Sequence, residues 1–127
     1  MSAMNITHAS FLTLPVSDQD RALAFYTEVL GFEVRVDRQV GSMRWLQVAP
    51  KGAQTVFTLS GPGMGDFLPG STQGIMLVTA DVDADCANLA AAGIEVNGPD
   101  DVPWGRMAGF RDLDGNGLML LTEKEGL

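Results

Sequence analysis

The chain has one histidine, His8, and one cysteine, Cys86, the two side-chain types most used for metal and nucleophilic chemistry. A two-histidine, one-carboxylate centre needs two imidazoles, so one copy of the chain does not supply it. A serine–histidine–acid triad would have to be built on His8, which falls on the first predicted strand, and no convincing set accompanies it. Cys86 lies in the alanine-rich run "DADCANLAAA" with no histidine nearby to act as base, and it reads as a small buried thiol. The glycine-rich stretch "GPGMGDFLPG" lacks the strand–loop–helix setting of a phosphate loop. Asp112 and Asp114 in "RDLDGNG" read as turn residues, because a calcium loop needs more oxygen donors at fixed spacing and a terminal glutamate.

What remains is binding chemistry. Trp45 and Trp104 fall on predicted strands, one in each half, and aromatic rings on facing strands can stack a flat ligand. Arg44 and Arg106 flank them, and a guanidinium at the rim of a pocket can clamp a carboxylate or phosphate. The same two arginines also fit a solvated surface. Met43, Met64, Met76, Met107 and Met119 suit irregular ligands or irregular cores, because the thioether chain is unbranched and adaptable. The net charge of −8 disfavours a nucleic-acid partner. It serves solubility, or it attracts a cationic ligand. No apolar run approaches the roughly 20 residues of a membrane helix, so no membrane partner is expected. The segment "MSAMNITHASF" lacks the pattern of a secretory signal, and a lone cysteine fits a reducing compartment. The expected location is the cytoplasm.

The elements that must position these residues occur twice. "NITHASFLTLPV" is rich in β-branched and apolar residues and predicts a strand. Ser17 or Asp18 caps a helix whose apolar face is Ala22, Phe25, Tyr26, Val29 and Leu30, and Gly31 stops it. "FEVRVDRQ", "MRWLQVA" and "QTVFTLS" follow as strands. In the second half Asp81 and Asp83 match Asp18 and Asp20 at an offset of 63, whereas Gly93, Glu95 and Val96 match Gly31, Glu33 and Val34 at 62. One residue is therefore missing inside the second helix. "IEV", "WGRMAGFRD" and "GLMLLTE" complete the second set of strands.

The reading is an α+β fold, a single domain over 1–127, with βαβββ modules at 4–60 and 74–124. Residues 61–73 form a linker or lid. Two such modules can curl their strands into one curved mixed sheet with an open cup and helices outside, and the concave face is the natural ligand site.

"LPVSDQDRALAFYTEVLGFEV", "TADVDA", "AAGIEV" and "FRDLDGNGLMLLTE" together resemble the vicinal oxygen chelate superfamily over nearly the whole chain. That group includes glyoxalase I, the bleomycin and fosfomycin resistance proteins and the extradiol dioxygenases. The resemblance implies a homodimer paired through sheet edges. In its enzymes it implies a divalent metal held by histidine, glutamine and glutamate from the first and last strands of each half. Carried over by position, those four ligands fall on Phe11, Thr58, Gly74 (or Ile75, one residue on) and Met119. This set does not form an oxygen- and nitrogen-rich shell. His8, three residues before Phe11, points to the opposite face of an alternating strand. Tyr26 and Asp18 belong to the shared helix signature and read as packing and capping.

No metal and no cofactor is therefore expected. The predicted cup residues are Phe11, Thr13, Arg44, Trp45, Phe57, Thr58, Trp104, Arg106 and Met119, with a small organic molecule as partner, antibiotic-like or cationic. Two other readings stay open. One is a lyase or isomerase of glyoxalase type with a non-standard set such as Arg44, Arg106 and Asp66. The other is a metal-dependent glyoxalase or extradiol dioxygenase whose ligands lie elsewhere.

Overall fold

The computed structural model describes residues 3–124. Strand β1 (Phe11–Pro15) is shorter than its β-branched approach suggests. Residues 3–10 are exposed and outside any strand, and Ala9 and Ser10 accept bonds from Thr55 and Val56. His8 lies on this arm rather than on a strand, its Nδ1 2.7 Å from Thr7 Oγ1.

Asp18 caps α1 (Gln19–Ala24), its carboxylate accepting from Arg21 N at 3.1 Å. The helix then widens into a π-helical turn over Phe25–Val29, where Leu30 N donates to Phe25 O five residues back. Such a turn houses one residue more than an α turn. That extra residue accounts for the change of repeat offset from 63 to 62. Helix α2 (Val82–Ala91) carries its cap, Asp81, at the matching place. Gly31 and Gly93 follow the two helices at φ 74° and 82°, a conformation that costs glycine least.

Strands β1, β2 (Glu33–Val40), β3 (Met43–Ala49) and β4 (Val56–Ser60) form a sheet in the order β1-β4-β3-β2. Strands β5 (Ile75–Val78), β6 (Val96–Val102), β7 (Gly105–Arg111) and β8 (Gly117–Glu123) repeat it as β5-β8-β7-β6. The first strand of each sheet pairs parallel with the last, and the other pairs are antiparallel. This is the α+β fold of two βαβββ modules. The eight strands hydrogen-bond as two four-stranded sheets, and among the described residues no ladder joins β1 to β5.

Strand alternation gives each sheet two faces. Leu14, Leu46, Val48, Phe57 and Leu59 of the first sheet and Ala108, Phe110, Leu118 and Leu120 of the second face inward. They join Ala22, Phe25, Tyr26, Val82 and Leu89 of the helices in one continuous cluster. The modules thus share a core, and on the faces turned away from the helices Phe11, Met43 and Met76 stay exposed while Gln47, Ala49, Thr58 and Ser60 are buried. Among the described residues no helix is long and apolar enough to cross a membrane.

A polar clasp fastens the modules. The fully buried Tyr26 donates its hydroxyl to Asp112 Oδ2 at 2.7 Å. Asp112 also accepts from Asp114 N, Asn116 N and Asn116 Nδ2. Asn116 Nδ2 donates onward to Pro15 O, and Asn116 Oδ1 accepts from Thr72 N. Burial first, and then the charge of Asp112, push the Tyr26 hydroxyl far above its ordinary pKa. The connecting segment is stitched to both halves, because Thr72 Oγ1 donates to Thr13 O and Gly117 N donates to Thr72 O. Gly70, at φ 81°, passes so close that a Cβ would lie 2.0 Å from Asp114 O.

Candidate functional site

On the open face of the first sheet, Thr13 of β1 stands opposite Thr58 of β4, and Thr58 opposite Gln47 of β3. Gln47 Nε2 donates to Thr58 Oγ1 at 3.0 Å, which satisfies a threonine that is 1% exposed. Phe11 and Trp45 lie on the same face, and their rings meet edge to face with centroids 5.5 Å apart. Arg38 of β2 stands opposite Trp45. Phe11, Thr13 and Trp45 are thus brought together at the surface of this face, with Thr58 buried among them.

The open face of the second sheet is softer. Met76, Met119, Gly109 and Asn97 form a row across β5, β8, β7 and β6. A cavity of about 430 Å³ lies over this face, with Met107, Gly109, Met119, Asn97, Asp100 and Arg111 in its walls. That volume suits a small organic molecule. Arg111 Nη1 is held by Gly115 O at 3.2 Å. Among the described residues the Asp100 carboxylate has no hydrogen-bond or ion-pair partner, and it is exposed to any cation that enters.

Of the other residues expected in the cup, Phe57, Arg44 and Arg106 lie elsewhere and Trp104 sits at its rim. Phe57 alternates with Thr58 and so faces the helices, 5% exposed and stacked on Phe32 with centroids 6.1 Å apart. Trp104 sits in the β6–β7 turn rather than on a strand, half exposed, its Nε1 3.1 Å from Met107 Sδ. Arg44 Nε and Nη2 grip the Asp37 carboxylate at 2.9 Å each, and Nη1 reaches Asp20 at 2.6 Å. Arg106 repeats this in the second module, bidentate on Asp83 at 3.0 Å with Nη1 on Asp101 at 3.0 Å. Each arginine ties the first turn of a helix to the edge of its sheet, on the helix side. Asp66 is exposed in the connecting segment. Arg44, Arg106 and Asp66 therefore do not converge on either open face. Cys86 is buried in α2, and burial followed by Asp83 and Asp85 raises its thiol pKa, the opposite of nucleophile activation.

Hydrogen bonds from the arginines hold Asp37 and Asp83 below the ordinary carboxylate value of 3.8. A carboxylate depressed in the folded state adds stability above its unfolded pKa and loses it as pH falls through the folded value. Arg106→Ala should therefore lower the urea midpoint slightly at neutral pH. The difference from wild type should shrink below about pH 4 and in high salt, and ligand affinity should not change. Urea titrations at neutral and acid pH, paired with a ligand titration of the variant, check both halves of this expectation.

The positions that hold a metal in superfamily enzymes can be tested on the structure. Phe11 opens β1 and Gly74 immediately precedes β5, while Thr58 and Met119 are equivalent positions in β4 and β8. They supply a phenyl ring, no side chain, a hydroxyl already bonded to Gln47, and a thioether. Among the described residues no group of three or more His, Cys, Asp or Glu is placed to hold an ion. A hard or borderline divalent cation needs oxygen and nitrogen donors. The residues present do not fit it.

Sequence reasoning missed Gln47, Gly109, Asn97, Asp100, Arg38 and Arg111 as residues of the open faces. The signal existed in the repeat. Aligning "MRWLQVA" with "GRMAGFR" at an offset of 62 pairs Trp45 with Met107 and Gln47 with Gly109. Fixing one face then fixes the other.

The model of the Glyoxalase/Bleomycin resistance protein/Dioxygenase superfamily matches residues 5–120. The crystal structure of TnmS3, an antibiotic binding protein from Streptomyces sp. CB03234, is similar with a TM-score of 0.86 and 47% identity, over 95% of this chain and 99% of that one. A superfamily member from Sphaerobacter thermophilus DSM 20745 gives a TM-score of 0.86 and 39% identity, over 93% of this chain and 98% of that one. YetH of Bacillus subtilis (strain 168) is 34% identical over 110 residues, 83% of this chain and 89% of its own length. Duplicated modules, open faces and family match agree: the chain belongs to the glyoxalase/bleomycin resistance protein/dioxygenase superfamily.

Proposed function

We propose that this protein binds and sequesters a small organic molecule without a metal ion, in a cup lined by Phe11, Thr13 and Trp45 on one side, over the buried Thr58, and by Met107, Gly109 and Met119 on the other. The observation that carries the reading is the occupancy of the four metal positions by Phe11, Thr58, Gly74 and Met119. Such a surface makes dispersion and aromatic contacts and would leave a divalent cation without replacement for its hydration shell. Similarity to TnmS3 supports an antibiotic-like ligand. The net charge of −8 and the unpaired Asp100 carboxylate in the cavity wall support a cationic one.

The cup is completed by a second copy. Strands β1 and β5 are sheet edges, each with one neighbour, and they expose Phe11, Leu12, Met76 and Val78. An apolar sheet edge is a template for pairing with another chain. Pairing β1 of one copy with β5 of another would set the aromatic face against the methionine face. Size-exclusion chromatography at two concentrations tests the pairing, and a concentration-independent monomer counts against it. Fluorescence titration of chelator-treated protein with proflavine, a flat cation, and N-phenyl-1-naphthylamine, a neutral aromatic, tests the binding. Saturable binding of at least one probe is expected, and saturation by neither contradicts the reading.

A further inference from the structure

We propose that Gly109 is the specificity-determining residue of the second half-cup, and that its missing side chain is the seat for a flat fused-ring ligand of two or three rings. The proposal rests on the small-molecule-binding reading above and adds which residue sets the size of molecule admitted.

Gly109 lies in the middle of β7, paired on both sides, with Asn97 and Met119 as neighbours. A glycine here weakens a strand, since it has nothing to pack and loses the most chain freedom on folding. Neither common reason for a glycine applies. Its φ lies outside the left-handed region, unlike those of Gly105 and Gly98 on either side of the β6–β7 turn. A Cβ at Gly109 would meet nothing nearer than Leu118 O at 3.9 Å, whereas one at Gly117 would strike Gln73 Oε1 at 2.1 Å.

The internal repeat supplies the control. Gln47 occupies the equivalent place in β3, opposite Thr58 as Gly109 is opposite Met119. There the same fold carries a long side chain, buried and bonded to its neighbour. The fold therefore does not require glycine at this position. Its absent side chain is space in the wall of the 430 Å³ cavity. A glycine in a strand interior lets a ligand approach the backbone closely. A planar ring can lie on the bare peptide there, while Met107 and Met119 adapt to its edges. Asp100 in the same wall can take a ring nitrogen that carries a proton.

The test is a series, Gly109→Ala, Gly109→Val and Gly109→Leu, in the full chain. Thermal midpoints, size-exclusion elution and titrations with proflavine and N-phenyl-1-naphthylamine are compared with wild type. Midpoints at or above wild type are expected, with elution unchanged. Affinity should fall in the order Ala, Val, Leu, reaching at least about tenfold for Leu, roughly 1.4 kcal/mol. A lowered midpoint for Gly109→Ala makes the glycine structural and overturns the proposal. So does a Gly109→Leu protein that binds both probes as wild type does. Conversion of a dimer to a monomer by Gly109→Leu would assign the hollow to a side chain of a second copy, and would overturn it too. Failure of wild type to bind either probe defeats the binding reading itself, and the proposal with it.

Discussion

Replacing Asp112 by alanine should cost about 3–5 kcal/mol of folding stability, the largest loss expected from any single polar substitution in this chain. The carboxylate is 7% exposed and accepts four hydrogen bonds, from Tyr26 Oη, Asp114 N, Asn116 N and Asn116 Nδ2. Alanine would strand the fully buried Tyr26 hydroxyl and the Asn116 backbone N–H, at about 1–3 kcal/mol for each unsatisfied group. Such a loss is a large share of the roughly 5–15 kcal/mol that holds a domain folded. Tyr26→Phe is milder, about 1–2 kcal/mol, because Asp112 keeps three donors. Urea titrations of both variants give these numbers, and a D112A loss under about 1 kcal/mol would remove the clasp from the account.

Tyr26 is the chain's sole tyrosine, so tyrosinate absorbance reads this one group. Its folded pKa is raised, so its stabilising contribution is complete below the unfolded value of 10.0 and is lost as pH rises above it. Folded protein should show no tyrosinate near pH 10, and ionisation should appear together with alkaline unfolding. Reversible ionisation near pH 10 in the folded protein would mean that the hydroxyl is not buried against Asp112.

Replacing Trp45 by alanine should weaken binding of an aromatic ligand by roughly ten- to thirtyfold. A tryptophan presents about 150–250 Å² of buriable surface, and covering a third of it at about 25 cal/mol per Å² gives about 1.3–2 kcal/mol. Trp104→Ala should cost less, about two- to threefold, since that ring lies in the β6–β7 turn and reaches the cup through Met107 Sδ. The chain has two tryptophans, so a Trp104→Phe background turns Trp45 emission into a direct report of ligand contact. Quenching of Trp45 on saturation is expected. Equal losses from the two alanine variants would mean that the ligand does not distinguish the open face from the turn.

The repeat was readable because each module needs the same local devices. Asp18 and Asp81 cap helices, Gly31 and Gly93 stop them, and apolar strands follow. These signals are local, and they carried the fold. Which face a side chain occupies is not local. Phe57 and Thr58 are neighbours in sequence on opposite faces, and a one-residue uncertainty in register exchanges them. Arg44 and Arg106 looked like rim clamps because nothing nearby in sequence announces that Asp20 and Asp83 arrive from the helices. The Tyr26–Asp112 bond spans 86 positions. A helix signature and a turn motif each looked self-contained until the fold set them against each other. Gly109 was invisible for another reason, since the sequence shows a glycine but not whether a side chain there would find space.

The proposed function requires a hollow that takes up an organic molecule with no ion beneath it. Calorimetric titration of chelator-treated protein with Zn²⁺, Ni²⁺, Mn²⁺ and Fe²⁺, each followed by proflavine, tests this most directly. The predicted result is no saturable heat from any of the four ions and the same dye affinity with and without them. Submicromolar uptake of one ion per cup, or dye binding that appears only after an ion is added, would contradict it.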